Sequence, residues 1–198
     1  MIADLLRRPQ DLGEWTADAV RALGLLSVVV AAIWWTVTDA GILALALPAL
    51  LLPRLVGARP AFDIVYGVTV LVAAWSNVLG LYELVPWWDL VVHFVATGVI
   101  AAMLFLLLAR CRVVPAPGTA GFAPRVALVI VPALALALSA LWEMVEWFGY
   151  TFVSDEIFVA YGDTIGDLCA GGLGGVVAGV LVTFVRLDRR ARVSASVG

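Results

Sequence analysis

The stretch LWEMVEW, residues 141–147, places two carboxylates near the end of a long apolar segment. Glu143 and Glu146 are three residues apart, so they share one face of a helix. A charged side chain inside a bilayer costs at least about 2.5 kcal/mol on insertion scales. Two such groups on one face also repel each other, so protons, a metal ion or a polar cavity must stabilise them. The pattern therefore indicates a polar site within an otherwise apolar helix.

The composition of the whole chain is that of a membrane protein. Of its 198 residues, 64% are hydrophobic, and the mean hydropathy is +1.07, whereas soluble domains are about 45–50% apolar. The net charge is −3, and all 12 basic residues are arginines. A small negative charge argues against nucleic acid as a partner. We therefore predict an all-α, polytopic helical bundle that has membrane lipid as its partner.

Six apolar segments can be drawn along the chain, with about 20 residues per span as the guide. They cover about residues 19–37, 41–56, 61–81, 87–109, 123–150 and 164–185. The second segment is short and contains Pro48 and Pro53, which leaves open a re-entrant or tilted segment instead of a full crossing. We expect an amphipathic or irregular segment at 1–16, a six-helix transmembrane domain at 17–187 and a flexible cytoplasmic tail at 188–198.

The arginines determine the expected orientation. If all six segments cross, every arginine falls on one side of the membrane, at positions 7, 8, 21, 54, 59, 110, 112, 125, 186, 189, 190 and 192. The opposite side carries Asp39, Glu83, Asp155 and Glu156 and no basic residue. By the positive-inside rule, both termini are expected to be cytoplasmic. This distribution also favours a full crossing by the second segment.

The last segment contains rows of small residues. Gly171, Gly175 and Gly179 repeat at every fourth position, beside a parallel row of small side chains. Such rows allow helix backbones to approach each other closely. We therefore expect this segment to be the central helix of the bundle.

Three segments carry acidic residues and the only histidine of the chain near their outer ends. These residues are Asp89 and His93 in the fourth segment, Glu143 and Glu146 in the fifth, and Asp163 and Asp167 in the sixth. At a rise of 1.5 Å per residue, all six lie within roughly 10 Å of the outer boundary. We therefore expect them to share one layer. Asn77, near the outer end of the third segment, is a candidate contributor from a fourth helix.

Carboxylate oxygens combined with an imidazole suit a divalent metal ion such as Mg²⁺, Mn²⁺, Zn²⁺ or Fe²⁺. A cation would offset the repulsion among the acids. With an open coordination position it could activate water or polarise a phosphoryl oxygen. We therefore predict that all six residues are metal ligands, with Glu143 and Glu146 as the catalytic candidates and a spare carboxylate as general base.

Several of these residues also have a purely structural interpretation. Asp163 can cap the sixth helix, and Asp89 can stabilise the helix dipole in a first turn. His93 can form an interhelical hydrogen bond. Two glutamates on one face are harder to explain without a site. Asp63, near the opposite end of the third segment, is expected to be interfacial and unrelated to the acids.

Several motifs resemble the family of bacterial inner-membrane proteins typified by YjdF. The first part of the resemblance is Gly80-Leu81-Tyr82, Val85-Pro86-Trp87-Trp88-Asp89 and His93-Phe94. The second part is Trp142-Glu143-x-x-Glu146-Trp147 and Asp163-x-x-x-Asp167-Leu168, in the same order. The chain is more distantly similar to VanZ-like membrane proteins, whose helices carry similar acids and a histidine. Both likenesses imply the bacterial cytoplasmic membrane, and neither implies a particular reaction.

The sequence leaves three classes of function open. A metal-dependent membrane hydrolase or transferase would act at the outer leaflet on a lipid or lipid-linked phosphate. A transporter or channel for protons or metal ions would need carboxylates towards the cytoplasmic side, and the inner halves of the last three segments contain none. A non-catalytic membrane partner would use the acids only to hold helices together. We favour the enzyme.

Overall fold

The protein is built from helices, as seen in a computed structural model that describes residues 2–152 and 159–189. Within that part, the helices are α1 (Ile2–Leu5), α2 (Leu12–Trp34), α3 (Val37–Val56), α4 (Pro60–Val78), α5 (Leu81–Leu84), α6 (Trp88–Arg110), α7 (Pro124–Phe152) and α8 (Tyr161–Phe184). Extended backbone is paired in these two ranges only at an isolated bridge between Ala58 and Asp188. The prediction of an all-α fold is confirmed.

Six of the helices are long and apolar enough to cross a membrane, with 19 to 29 residues each. One of them is α3, which runs without a break although Pro48 and Pro53 lie inside it. Thr36 starts α3 with a capping box, in which the Thr36 side chain and the Asp39 carboxylate each accept a backbone hydrogen bond from the other residue. The second apolar segment is therefore as long as a full crossing requires, and the prediction of six spans is confirmed.

The first long helix begins earlier than the hydropathy of the sequence suggests. It starts at Leu12, within the 1–16 range that we expected to be amphipathic or irregular. Asp11 is its N-cap, because the carboxylate accepts a hydrogen bond from the Glu14 N–H at 2.8 Å. Capping satisfies a backbone donor that would otherwise be unpaired, so the helix extends into a charged region that hydropathy places outside the membrane.

The central helix is α6, so the expectation that α8 is central was wrong. Among the described helices, α6 packs against α3, α4, α5, α7 and α8, whereas α8 packs only against α6 and α7. Met103 and Leu106 join the core cluster shared with α3 and α4. Ala101 and Phe105 join the cluster shared with α7 and α8. Because α6 is apolar along most of its length, it can pack against neighbours on several of its faces.

The small residues of α8 set its distance from α6 and α7. A Cβ at Gly174 would overlap the carbonyl oxygen of Phe94, and one at Gly98 would lie 2.6 Å from the Gly174 carbonyl oxygen. On the other side, a Cβ at Gly175 would overlap the Cβ of Ala135. Only glycine allows backbones to pass at these distances. The predicted packing role of the glycine row is confirmed.

A network of charged residues joins the helix ends at which the arginines gather. Arg21 donates to the Asp63 carboxylate at 2.6 Å and to Asp18 at 3.0 Å. Arg54 also donates to Asp18. These groups line a cavity of about 160 Å³. Asp63, which we expected to be interfacial, is therefore a buried ion-pair partner, and it lies at the opposite end of α4 from the α5 turn.

The same network joins the two ends of the described chain. The buried carboxylate of Glu14 pairs with Arg7 at 2.9 Å and with Arg189. Arg189 also donates its backbone N–H to Gly57 and its Nε to Ala58, both at 3.0 Å. Asp188 and Arg189, the first two residues of the expected flexible tail at 188–198, thus lie against the α3–α4 turn. Residues Asp155, Glu156, Arg190 and Arg192 and the rest of the tail lie outside the described residues.

Candidate functional site

Three of the predicted metal ligands meet between α6 and α8. One donor atom from each of Asp89, His93 and Asp167 lies within 4.8 Å of the others. His93 Nε2 is 3.5 Å from Asp89 Oδ1, as expected for residues one turn apart on a helix. Asp167 reaches them from the second turn of α8. The close contact between Gly98 and Gly174 holds α8 against α6 and so fixes this meeting point.

Asp167 has the most demanding environment of the three. Its side chain is buried to 1% exposure, and neither carboxylate oxygen has a hydrogen-bond partner in the part of the chain that the structure describes. His93 is also buried, whereas the Asp89 side chain is 27% exposed. A buried charge without partners is too costly to persist unless a proton or a cation compensates it. The environment of Asp167 therefore calls for one or the other.

The glycine row of α8 also determines which residues of α7 face the site. Gly171 contacts Ser139, and the next glycine of the row contacts Ala135, so the two helices run antiparallel. One turn further towards the outer end, the same register places Glu143 opposite Asp167. The carboxylates of these two residues interact electrostatically, as this register requires. The α7 acids thus share the layer of the α6 and α8 ligands.

Glu143 and Glu146 differ in the partners of their oxygens. Oε1 of Glu143 is buried and has no hydrogen-bond partner among the residues that the structure describes. Oε1 of Glu146 accepts a hydrogen bond from the Trp142 indole N–H at 2.7 Å. Both carboxylates interact electrostatically with Asp89. Glu143 therefore has an oxygen available for a ligand, whereas one oxygen of Glu146 is already engaged.

Asp163 lies at the margin of this layer. It occupies the first turn of α8, is half-buried, and interacts electrostatically with Asp89 and Asp167. The interpretation of Asp163 as a helix cap was wrong, because Ala160 is the N-cap residue and no side chain caps this helix. The charge of Asp163 therefore acts mainly on the other acids.

Near the outer end of α4, the buried polar residue is Ser76 and not the predicted Asn77. Asn77 is exposed on the surface of the protein. Ser76 is 1% exposed, and its hydroxyl accepts a hydrogen bond from the Trp88 indole N–H at 2.8 Å. It also donates to the Val72 carbonyl at 2.7 Å. The link between α4 and the start of α6 thus passes through Ser76.

Sequence reasoning missed Ser139. This residue is 1% exposed, and its Oγ has no hydrogen-bond partner among the described residues. It lies one turn below Glu143 on the face of α7 that contacts α8. The spacing of four residues from Glu143 could have revealed it, because a small polar residue there extends the same helix face.

From the sequence, Tyr82 was named only as part of the Gly80-Leu81-Tyr82 motif. Its hydroxyl donates to the Ala73 carbonyl at 3.0 Å, which folds α5 back onto α4. Burial, followed by the negative charges of Asp89 and Glu146, raises the pKa of Tyr82 above its ordinary value. The phenol is therefore neutral near pH 7 and lies close to the acids. No pattern in the sequence indicates this position, since it depends on the path of α5.

A protein-family model described as "Predicted membrane protein (DUF2238)" matches residues 15–189. The chain belongs to this family. The match includes every predicted site residue, and the description of the DUF2238 family agrees with a multi-pass membrane protein. That description names no reaction. It also does not name YjdF-like or VanZ-like proteins, so the resemblance to them stays a prediction. Neither a curated protein nor a solved structure matches the chain.

Proposed function

We propose that this protein binds a divalent cation between α6 and α8 and uses it in a reaction on a lipid or lipid-linked phosphate. The observation that carries the proposal is the buried carboxylate of Asp167, both oxygens of which lack a hydrogen-bond partner within residues 2–152 and 159–189. An oxygen of Asp167 lies within 4.8 Å of donor atoms of Asp89 and His93. A cation would compensate this buried charge and satisfy its oxygens in one step.

The donor set suits several first-row metals. One imidazole with carboxylates favours Mn²⁺, Zn²⁺ or Fe²⁺, and carboxylates alone also suit Mg²⁺. Ligand atoms about 2.1 Å from an ion are at most about 4.2 Å apart. The three donor atoms span up to 4.8 Å, so binding would draw the side chains together by a small rotation. Glu143, which the register of α7 against α8 places opposite Asp167, is the candidate for a further ligand.

The position of the site supports a phosphate substrate at the membrane surface. Asp89 lies in the first turn of α6 and Glu146 in the last two turns of α7, at the end of the bundle opposite the arginines. In a hydrolysis, a water oxygen would form the new bond to phosphorus, and the water proton would pass to a glutamate carboxylate. The bond from phosphorus to the alcohol oxygen would break, and that oxygen would take up a proton. Glu143 and Glu146 are the candidates for this general base.

Ion transport is less well supported than catalysis. In the described part of the chain, the inner halves of α6, α7 and α8 are joined by an apolar cluster that includes Phe105, Val131 and Val182. A pathway for protons or ions needs polar groups towards both sides of the membrane. A proton or metal-ion transporter and a non-catalytic membrane partner therefore remain the alternatives to the enzyme.

The proposal is tested by the metal content of the full chain, purified in detergent without chelator and measured by mass spectrometry. We expect at least one divalent ion per chain in the unchanged protein and a loss of at least tenfold in Asp167→Asn and His93→Ala. The matched control is Glu83→Gln, which removes an exposed acid of α5 at the same end of the bundle and should keep the metal. Absence of metal from the unchanged protein, even after reloading with Mn²⁺ or Zn²⁺, would contradict the proposal.

Activity is tested next on the metal-loaded protein. Lipid phosphates in mixed micelles should release inorganic phosphate, and Glu143→Gln should reduce the rate by about 10²–10⁴-fold if Glu143 is the general base. Metal binding without turnover of any lipid phosphate would leave the cation site standing and reject the enzymatic role.

A further inference from the structure

We infer that the site holds two divalent cations, which Asp167 bridges with its two carboxylate oxygens. This inference rests on the proposed function, since it extends the same site. The first ion would lie between α6 and α8, with Asp89, His93 and one oxygen of Asp167. The second would lie between α8 and α7, with the other oxygen of Asp167 and with Glu143.

The first argument comes from the two oxygens of Asp167. Both are buried, and neither has a hydrogen-bond partner among the described residues. The group formed with Asp89 and His93 uses one ligand atom from each residue. The other oxygen of a side chain that is only 1% exposed is then left without a partner. A second cation would satisfy it, and a carboxylate can bind two ions with its two oxygens.

The second argument comes from α7. Oε1 of Glu143 is buried and unpaired. The register set by Gly171 against Ser139 places Glu143 opposite Asp167, and the two carboxylates interact electrostatically. The residue of α7 that this register places opposite Asp167 therefore also has an oxygen without a partner among the described residues. Both residues belong to helices that the glycine row holds close together.

The third argument is the charge of the layer. Its five carboxylates are those of Asp89, Glu143, Glu146, Asp163 and Asp167, and each interacts electrostatically with others of the set. With all five groups ionised, one divalent cation would reduce the charge of −5 only to −3, whereas two would reduce it to −1. Charge that remains near the membrane interior is costly. Two ions about 3.5–4 Å apart also form a common arrangement for displacement at phosphorus, because they stabilise both the attacking and the leaving oxygen.

The experiment uses Mn²⁺ as the probe. The full chain is purified in detergent, stripped with chelator and reloaded with MnCl₂, and the bound manganese is counted by mass spectrometry and examined by electron paramagnetic resonance. We expect two Mn²⁺ per chain, with the six-line spectrum of an isolated ion replaced by that of an exchange-coupled pair. Glu143→Gln should hold one Mn²⁺ and give the six-line spectrum. Glu83→Gln should behave as the unchanged protein does.

The outcomes separate this inference from the proposed function. One Mn²⁺ per chain with a six-line spectrum would overturn the second ion and leave the proposed function standing. Two Mn²⁺ without exchange coupling would overturn the bridging role of Asp167. No bound Mn²⁺ would reject the proposed function and this inference together. The number of Mn²⁺ ions bound per unchanged chain decides each case, so the result does not depend on whether a variant folds. Circular dichroism of each variant checks its helix content.

Discussion

Ser76 and Asn77 are neighbours on α4 with opposite environments, and the sequence favoured the wrong one for a buried role. The side-chain amide of Asn77 is a polar group in an apolar segment, and for that reason Asn77 was the predicted contributor from this helix. Which of two adjacent side chains faces inward depends on the rotation of the helix about its axis. That rotation is set by the packing of α4 against α3 and α6, and no charged residue near the outer end of α4 marks it.

We predict that Ser76→Ala destabilises the protein and that Asn77→Ala does not. The serine hydroxyl accepts the Trp88 indole N–H at 2.8 Å, and its loss leaves a partly buried donor without a partner. The expected cost is about 1–3 kcal/mol. Thermal unfolding in detergent, followed by tryptophan fluorescence, provides the measurement. Equal effects of the two substitutions would argue against the orientation of α4 described above.

The acids were the part of the site that the sequence predicted best. The i,i+4 spacing of Asp89 and His93 placed both on one face of a helix, and the structure brings them together with Asp167. The register between α7 and α8 could not be read from the acids alone. It depends on the contact of Gly171 with Ser139, a residue that carries no charge and therefore gave no signal.

At the scale of helices, length and hydropathy predicted the spans, whereas packing decided which helix is central. A row of glycines indicates that another helix packs closely against this one. It does not indicate how many helices do so. Among the described helices, only α6 and α7 pack against the glycine row of α8. The central helix α6 shows no comparable row, because it packs into two core clusters largely through ordinary apolar side chains, such as Met103 and Phe105.

We predict that Gly174→Ala destabilises the protein by about 1–3 kcal/mol, the usual cost of an overpacked interface. The new methyl group would overlap the backbone carbonyl of Phe94, which cannot rotate away. The variant should also lose bound metal, since this contact holds Asp167 near His93. Gly162→Ala, in the first turn of the same helix, is the matched control because its position is open. Both are measured by thermal unfolding in detergent and by metal content, and an unaltered Gly174→Ala protein would contradict the close approach of α6 and α8.

At the scale of the whole molecule, the ion pair of Glu14 with Arg189 connects the first long helix with the segment after the last one. We predict that Glu14→Gln and Arg189→Gln each lower stability by about 1–3 kcal/mol, as expected for hydrogen bonds to charged groups. The double variant should lose less than the sum, because the two residues share one interaction. Chemical or thermal unfolding of the four proteins gives the coupling energy. Strict additivity would show that the two side chains do not interact.

The orientation predicted from the arginines is tested with a membrane-impermeant maleimide. Cys111 is exposed just beyond α6 at the arginine end, so in a Cys169→Ser background it should react only after the cells are made permeable. A cysteine introduced by Glu83→Cys, in a background without Cys111 and Cys169, should react in intact cells. The reverse pattern would place the acids on the cytoplasmic side and exclude a substrate in the outer leaflet.

The pairing of Glu14 with Arg189 also orders the biosynthesis of the chain. Glu14 is synthesised with the first span, long before the ribosome reaches Arg189, the second arginine partner of Glu14. At ordinary rates of translation the delay is roughly 10–35 s. Until then, Glu14 has only Arg7 to neutralise it. This network therefore cannot close before Arg189 has been synthesised, and a chain that stalls or is cut before residue 189 keeps a carboxylate that lacks one of its two arginine partners.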